Sequence, residues 1–498
     1  MSRETTDAVV VGSGPNGLAA AVTMARAGLD VHLIEAETTL GGGARTVDLG
    51  LASGVRHDLC SAVHPLATRS PFLREFDLAA RGVELRAPEV SYAQPLDGAR
   101  AGLAYRDLER TVSELGADGR VWRRLFGPLV DDEDAVIALT LGDLRRIPAE
   151  ARTPGGLRAA AALGLGMLGQ GGPAWNVPFT QDVAPALFTG VAAHAISPMP
   201  ALVPAGVALM LGTLAHTGGW TIPVGGSQAI TDALLADVRR HGGRVTTGWR
   251  ITDYRQLPRA RAYLFDTGAR GLLEIWGGRL PSAVRRRLAR FRYGDAAAKV
   301  DFVLSGPVPW RNPGVGAAAT VHLGGTREQM RRAESDVSRG RHAAAPVTLL
   351  SDPTVADPSR ASGNLRPLWT YAHVPRGSTR DVTADVIGQI ERFAPGFRDV
   401  VVASQCIPAA ELPRHNANYV GGDIAGGAMG LRRVVLGATG GWDPYATGIP
   451  GVYLCSSATP PGPGVHGMSG WFAARRALRD RFDLPAPSLA PSGEQSSP

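Results

Sequence analysis

The stretch DAVVVGSGPNGLAAAVTMARAGLDVHLIEAE, Asp7 to Glu37, decides the fold of this chain. Asp7–Val11 is a short apolar run closed by a glycine turn, the pattern of a fully buried strand. Asn16–Ala27 has helical spacing, and Leu29–Glu35 is a second apolar strand. Gly12, Gly14 and Gly17 stand at the first junction in the spacing GxGxxG. The first glycine permits the tight turn, the second lets backbone approach a pyrophosphate, and the third lets helix and strand pack closely. A phosphate placed there faces the positive N-terminus of the helix. Glu35 follows Gly12 by 23 residues, where a carboxylate accepts hydrogen bonds from a ribose diol and repels a 2′-phosphate. The unit predicts a dinucleotide site and disfavours NADP.

A second glycine-rich stretch, LGGGARTVDLG (Leu40–Gly50), follows at once. A nicotinamide domain has no use for the triplet Gly41–Gly43 followed by Arg45, whereas flavin proteins place such a stretch beside the pyrophosphate. No second GxGxxG occurs in the chain, so FAD is read as the sole redox cofactor. A third glycine loop, in PPGPGVHGMSGWFAARRAL (Pro460–Leu478), runs straight into a helix near the end of the chain. Ordering that many glycines is entropically costly, so close backbone approach is expected there too.

Between these loops, Gly225–Gly226 precede an amphipathic helix over Gln228–His241 with Ser227 as its expected N-cap. GGRVTTGWRI and Ala260–Gly268 read as strands returning to the nucleotide sheet. The expected class is α/β: a discontinuous Rossmann-like FAD-binding domain with a mixed α+β substrate domain built from insertions. The FAD-binding domain takes residues 1–68, 218–298 and 438–484, and the substrate domain 69–217 and 299–437. The first insertion reads as mostly helical, the second as strand-rich, with APVTLLSD and LRPLWTYAHV as strands. The Pro/Ser-rich segment 485–498 is expected to be a disordered tail. Insertions covering a nucleotide fold are where substrate pockets form.

Composition narrows the function classes. The chain has 498 residues, 44% hydrophobic and 19% charged, ordinary for a large soluble core. The formal charge of +7 is spread along the sequence, and its densest run, RRRLARFRY (Arg285–Tyr293), reads as a solvated helix face, so nucleic acid is not an expected partner. Cys60, Cys406 and Cys455 lie far apart without disulfide or zinc spacing, which points to a reducing, cytoplasmic setting. The first strand begins at once and leaves no room for a signal peptide. Ala201–His216 is apolar but interrupted by Pro204 and short of the ~20 residues of a spanning helix. It is read as a buried helix, with peripheral membrane contact and a homo-oligomer left open. The histidines show no metal-ligand spacing and there is no GxSxG elbow, so neither a metal site nor a hydrolase is expected. Lys299, the only lysine, lies within a β run, where a buried ammonium needs a partner. Pairing with Asp301 or escape to solvent is the favoured reading over a pocket-facing role.

SAVHPLATRSPFLREFDL, LFTGVAAHAISP, HNANYVGGDIAGGA and GVYLCSSATPPGPGVHGMSGWFAARRAL join the N-terminal motifs in resembling one family. The chain resembles the FAD-dependent phytoene desaturase and amine oxidase superfamily, more narrowly its phytoene-dehydrogenase-like NAD(P)/FAD-dependent oxidoreductase subgroup, up to about Leu484. The resemblance implies that Gly12, Ser13, Gly14, Pro15, Asn16 and Gly17 hold the pyrophosphate and that Glu35 and Ala36 meet the adenine ribose. Gly42, Gly43 and Arg45 belong to the phosphate–flavin side, and Ile251 meets adenine through its backbone. Ser456, Gly464, Val465, His466, Gly467 and Met468 line the isoalloxazine, with a helix starting near Ser469 whose N-terminus stabilises negative charge on reduced flavin. Lys299 falls where family members place a lysine that reaches flavin N5 through water. His466, His64 and His194 are the candidate catalytic histidines, each weighed against an ordinary hydrogen-bonded role.

The implied activity is removal of a hydride from an apolar small-molecule substrate to flavin N5, forming C=C or C=N, with the electron acceptor left open and oxygen or a quinone among the candidates. Two alternatives stand beside it: a redox-neutral isomerase, and a flavin-stabilised binding protein without turnover. The second is motivated by departures from the family pattern at Pro463, Gln94 and Ala446, which also prevent carrying over a substrate.

Overall fold

The computed structural model describes residues 5–143 and 145–491. In chain order the strands of its two main sheets are β1 (Thr5–Val11), β2 (Val31–Ile34), β3 (Val90–Pro95), β4 (Ala101–Tyr105), β5 (Arg244–Thr246), β6 (Arg259–Phe265), β7 (Ala296–Leu304), β8 (Ala318–Leu323), β9 (Thr348–Ser351), β10 (Arg366–Val374), β11 (Val401–Ile407) and β12 (Val452–Leu454). The helices that shape the site are α1 (Pro15–Arg26), α2 (Val183–Ala192), α3 (Leu202–His216), α4 (Gln228–Arg240), α5 (Arg327–Ser338) and α6 (Met468–Ala477).

The first sheet is parallel, in the order β12-β6-β1-β2-β5. Its central strand β1 is covered on both faces, which is why it reads as an unbroken apolar run, with Val10 between Leu264 and Leu33. The chain then turns at Gly12 (φ +99°) into α1, with Pro15 at the first helical position. Every residue of α1 from Asn16 to Ala25 is buried, because α4 and α6 pack against it in addition to the sheet. The crossing with α6 is tight: a Cβ on Gly470 would stand 1.8 Å from the Asn16 carbonyl oxygen.

The second sheet runs β11-β7-β10-β9-β8-β3-β4 and is antiparallel apart from the β8–β3 pair. Alternation along β10 divides its faces. Leu368, Ala372 and Val374 pack with the helix Thr383–Phe393, while Trp369, Tyr371 and His373 turn toward the nucleotide sheet.

The first insertion is mostly helical, as read, with β3 and β4 as its strands in the second sheet. All six residues of β3 are buried, so VSYAQP shows no polar–apolar alternation to betray it. Two other expectations need correction. Ser227 does not cap α4; its hydroxyl donates to the Ser61 carbonyl oxygen instead (2.5 Å). The tail is ordered through residue 491: Leu489 is buried, its N–H donates to Glu75, and Arg81 holds its carbonyl. Residues 492–498 lie outside the described residues. Among the described residues, no helix is long and apolar enough to cross a membrane.

Candidate functional site

One cavity of about 1110 Å³ lies between the two sheets. Its nucleotide-sheet wall is the loop Val11–Asn16 with Glu35, Ala36, Gly42, Gly43, Arg45, Ile251 and Asp266. Ser456, Gly464 and Val465 line it from the C-terminal loop. Its other wall is apolar and aromatic: Val63 and Leu66, then Val207, Met210 and Leu211 of α3, Trp220, Leu349, Trp369 and Tyr371. The two regions meet where Gly464 abuts Leu66, with a Cβ there only 2.7 Å from the leucine side chain.

The glycine loop is held open by side chains that reach it from far along the sequence. Glu35 accepts from the Ser13 N–H (2.8 Å), the Ser13 hydroxyl (2.5 Å) and the Glu37 N–H (3.0 Å). Three of its roughly four acceptor positions are therefore spent on the chain itself. Asp266, at the end of β6, accepts from the Gly17 N–H (2.9 Å). The loop glycines leave it room: a Cβ on Gly14 would come within 2.5 Å of Asp266 Oδ2. Arg45, 5% exposed, donates to the carbonyls of Gly42 (2.7 Å) and His415 (2.5 Å) and to Thr39 Oγ1 (2.9 Å), with no carboxylate partner among the described residues. It is a buried cation on a cavity wall.

Burial, then the neighbouring Glu35, pushes the Asp266 carboxyl up to about 8 against the pull of the Gly17 N–H. At neutral pH Asp266 is mostly a neutral acid and adds no negative charge beside the helix N-terminus. A folded-state pKa raised in this way contributes stability that is full below the ordinary value of 3.8 and is lost as pH rises through about 8. Melting temperature followed across that range should fall more steeply for the ligand-free wild type than for Asp266→Asn. Parallel slopes would mean that Asp266 is ionised throughout.

The structure gathers most of the expected cofactor residues on one cavity and leaves others behind it. Gly17, Gly467, Met468 and His466 do not reach the wall. The His466 Nδ1 accepts from the Met468 N–H (3.0 Å) and its Nε2 donates to the Gly462 carbonyl oxygen (3.1 Å), so the ring fastens its own turn. Burial pulls this imidazole down to about 4. Lys299 is also off the wall, paired with Asp301 as the favoured sequence reading has it. His64 and His194 do line the cavity. Because the Ser227 hydroxyl is donated to Ser61, His64 Nε2–H donates to Ser227 Oγ (2.7 Å) and its Nδ1 keeps a lone pair; burial lowers its pKa to about 4. His194 Nε2 meets His322 Nε2 at 2.9 Å. Of the departures from the family pattern, Pro463 lines the cavity, whereas Gln94 and Ala446 do not.

Among the wall residues that escaped the sequence reading are Asp266, Tyr419, Trp369 and Tyr371. Tyr419 donates to Cys60 Sγ (3.2 Å) and occupies the space a Gly43 Cβ would need, 2.4 Å away. Asp266 had a usable signal, an acidic residue directly after a strand of the parallel sheet, where ligands of such sheets bind.

These features define a two-domain α/β architecture, a Rossmann-like parallel sheet facing a larger mixed sheet across one ligand-sized cavity. The family described as NAD(P)-binding Rossmann-like domain matches residues 10–76. Over nearly the whole chain, rat pyridine nucleotide-disulfide oxidoreductase domain-containing protein 2 is 24% identical, covering 95% of this chain and 93% of its own. An uncharacterized protein of Mycobacterium tuberculosis is 26% identical, covering 95% and 97%. An oxidoreductase from Methanosarcina mazei shares the fold at a TM-score of 0.60 and 16% identity, covering 94% of this chain and 99% of that one. Cyclohexylamine oxidase from Brevibacterium oxydans shares it at a TM-score of 0.58 and 14% identity, covering 95% and 97%.

Proposed function

We propose that this chain is an FAD-dependent oxidoreductase that takes a hydride from an apolar small molecule, forming a C=C or C=N bond. The observation that carries this reading is the continuity of a single cavity from the glycine loop to an aromatic and aliphatic chamber. Its volume of about 1110 Å³ exceeds the ordinary range for one small ligand, as a long cofactor and a substrate together require.

The wall fits a dinucleotide. Asn16 Oδ1 is buried without a partner at the first turn of α1, and Gly14 and Gly42 approach so closely that a Cβ on Gly42 would stand 2.8 Å from Gly14 Cα. Asn16 and the glycine backbone would hold the diphosphate, with the Arg45 charge beside it and Ile251 against the adenine. FAD bound there supplies the acceptor for a hydride. The chain's own part is orientation: Trp369, Tyr371, Trp220 and Leu211 build an apolar wall, and neutral His64 and His194 add no fixed charge to it. The family resemblance of the terminal motifs and the amine-oxidase fold likeness support the same class.

The deciding measurement is the visible spectrum of the purified protein, followed by heat release of any chromophore. The expected result is a yellow protein that yields free FAD and bleaches anaerobically with a member of a panel of polyenes, amines and hydroaromatics. Reoxidation by oxygen or by a quinone then names the acceptor. A colourless protein that takes up no FAD would remove the central claim.

A further inference from the structure

Behind the aromatic wall lies a group of buried polar atoms that the chain does not satisfy. Tyr92 Oη, Gln94 Oε1, His322 Nδ1, His373 Nε2 and Glu334 Oε2 are all buried without a partner. Buried polar groups are almost always paired, and ordered water serves where no protein group does. The five belong together. The rings of Tyr92 and His322 meet at 5.6 Å. A Cβ on Gly190 would stand 2.4 Å from Gln94 Oε1 and 2.8 Å from His322 Cβ, so those side chains share one space. His322 on β8 and Tyr371 on β10 both stand opposite Leu349 of β9. His373, two residues further along β10, shares that face and stacks on Tyr371 at 5.7 Å. Its Nδ1 donates to Glu334 Oε1 at 2.5 Å.

This group has a beginning and an end. It begins on the cavity wall, where His194 joins His322 through Nε2 and has Nδ1 as its other ring nitrogen. It ends at the half-buried Asp295, just before β7 and two residues from Ala297, which stands opposite His373 on β10.

We propose that His194, His322, a water held between His322 Nδ1 and His373 Nε2, His373 and Glu334 form a proton route from the cavity to Asp295 and solvent. The proposal rests on the oxidoreductase reading and deepens it. Oxidation of a CH–XH unit to C=X sends a hydride to the flavin and leaves one proton to dispose of beside an apolar wall. That proton enters His194 at Nδ1 while the Nε2 proton passes to His322 Nε2. The His322 Nδ1 proton passes through the water to His373 Nε2, the His373 Nδ1 proton passes to Glu334, and Glu334 hands its proton to Asp295, which releases it to solvent. One proton enters at His194 and one leaves at Asp295, and no ring gains or loses a net proton. Burial lowers both His194 and His322, so neither ring retains the charge.

The resting tautomers follow from this direction: hydrogen on Nε2 of His194, on Nδ1 of His322 and on Nδ1 of His373. Nitrogen-15 NMR of histidine-labelled protein reads them directly, and a high-resolution crystal structure shows the water. The expected result is those three tautomers, with an ordered water bonded to both His322 Nδ1 and His373 Nε2. A dry contact there, a charged ring or hydrogen on His322 Nε2 would overturn the route. His322→Phe would break the buried contact with His194 and disturb the packing on Gly190, so the companion variant is Glu334→Gln, which keeps the shape. It should shift the nitrogen signals of His373 and, through the water, those of His322; a change confined to His373 would also overturn the route. None of these readouts needs flavin. A colourless protein would end the oxidoreductase reading while leaving the tautomers and the water to be judged separately.

Discussion

Replacing Gly470 by alanine is expected to cost about 3 kcal/mol of stability or more and, if the proposed flavin is the ligand, to weaken its retention. The added Cβ would lie 1.8 Å from the Asn16 carbonyl oxygen, 2.7 Å from its carbon and 3.0 Å from the Ala20 nitrogen. All three are backbone atoms of α1, so no side chain can rotate away. Only separation of α6 from α1 relieves the clash, and α1 is also packed against β1, β2 and α4. Overpacking that a side chain can absorb sits at the low end of the ~1–3 kcal/mol range, and a backbone clash at its top. The displaced segment includes Asn16, the end of the loop that lines the cavity, so stability and ligand retention should fall together. Gly388→Ala is the control. It lies within the helix Thr383–Phe393 with nothing within 4 Å of the new Cβ, and helix propensity favours alanine there. The comparison needs only thermal midpoints and visible spectra. A Gly470→Ala protein with wild-type midpoint and colour would show that the α1–α6 crossing has slack.

What the sequence made legible follows from how local each signal is. The β1–α1–β2 unit is legible because one GxGxxG and two apolar runs determine it within about thirty residues. The spacing to Glu35 is equally local, yet it does not say what the carboxylate holds: a ribose diol and the Ser13 N–H make the same demand for an acceptor at that strand end. Asp266 reaches the loop from 249 residues beyond Gly17, so no short motif carries it. The terminal loop shows the opposite limit. Its motif identifies the turn, but which way the His466 ring points depends on Gly462 and Met468 capturing both ring nitrogens. LRPLWTYAHV is recognisable as a strand; its cavity-facing side is not, because both faces are buried and hydropathy no longer distinguishes them. The pairing of Lys299 with Asp301 is the instructive success. Residues two apart on a strand share a face, so the period of the strand alone places the two charges together.

That pair sets the second large effect. Lys299→Met is expected to lose about 3 kcal/mol at neutral pH, with the loss shrinking as the solution is made acidic. The Lys299 and Asp301 side chains are 4% and 1% exposed, so removing the ammonium strands a carboxylate away from water. Burial already holds the Asp301 carboxyl above its usual range, and Lys299 is the strongest force drawing it back down. Without that force the carboxyl rises further. A group raised in the folded state contributes stability that is full in acid and lost as pH rises through the folded value, so the variant suffers most at high pH. The double variant Lys299→Met with Asp301→Asn should recover most of the loss, because no charge remains to be stranded. A lysine acting on the flavin behaves differently: Lys299→Met would then keep its midpoint at every pH and lose only turnover, and Asp301→Asn would rescue nothing. Melting curves of the three variants across pH separate the two roles. The geometry favours the first, since the Lys299 Nζ lies behind Trp369, 5.4 Å from the centre of its ring, and Trp369 rather than Lys299 faces the cavity.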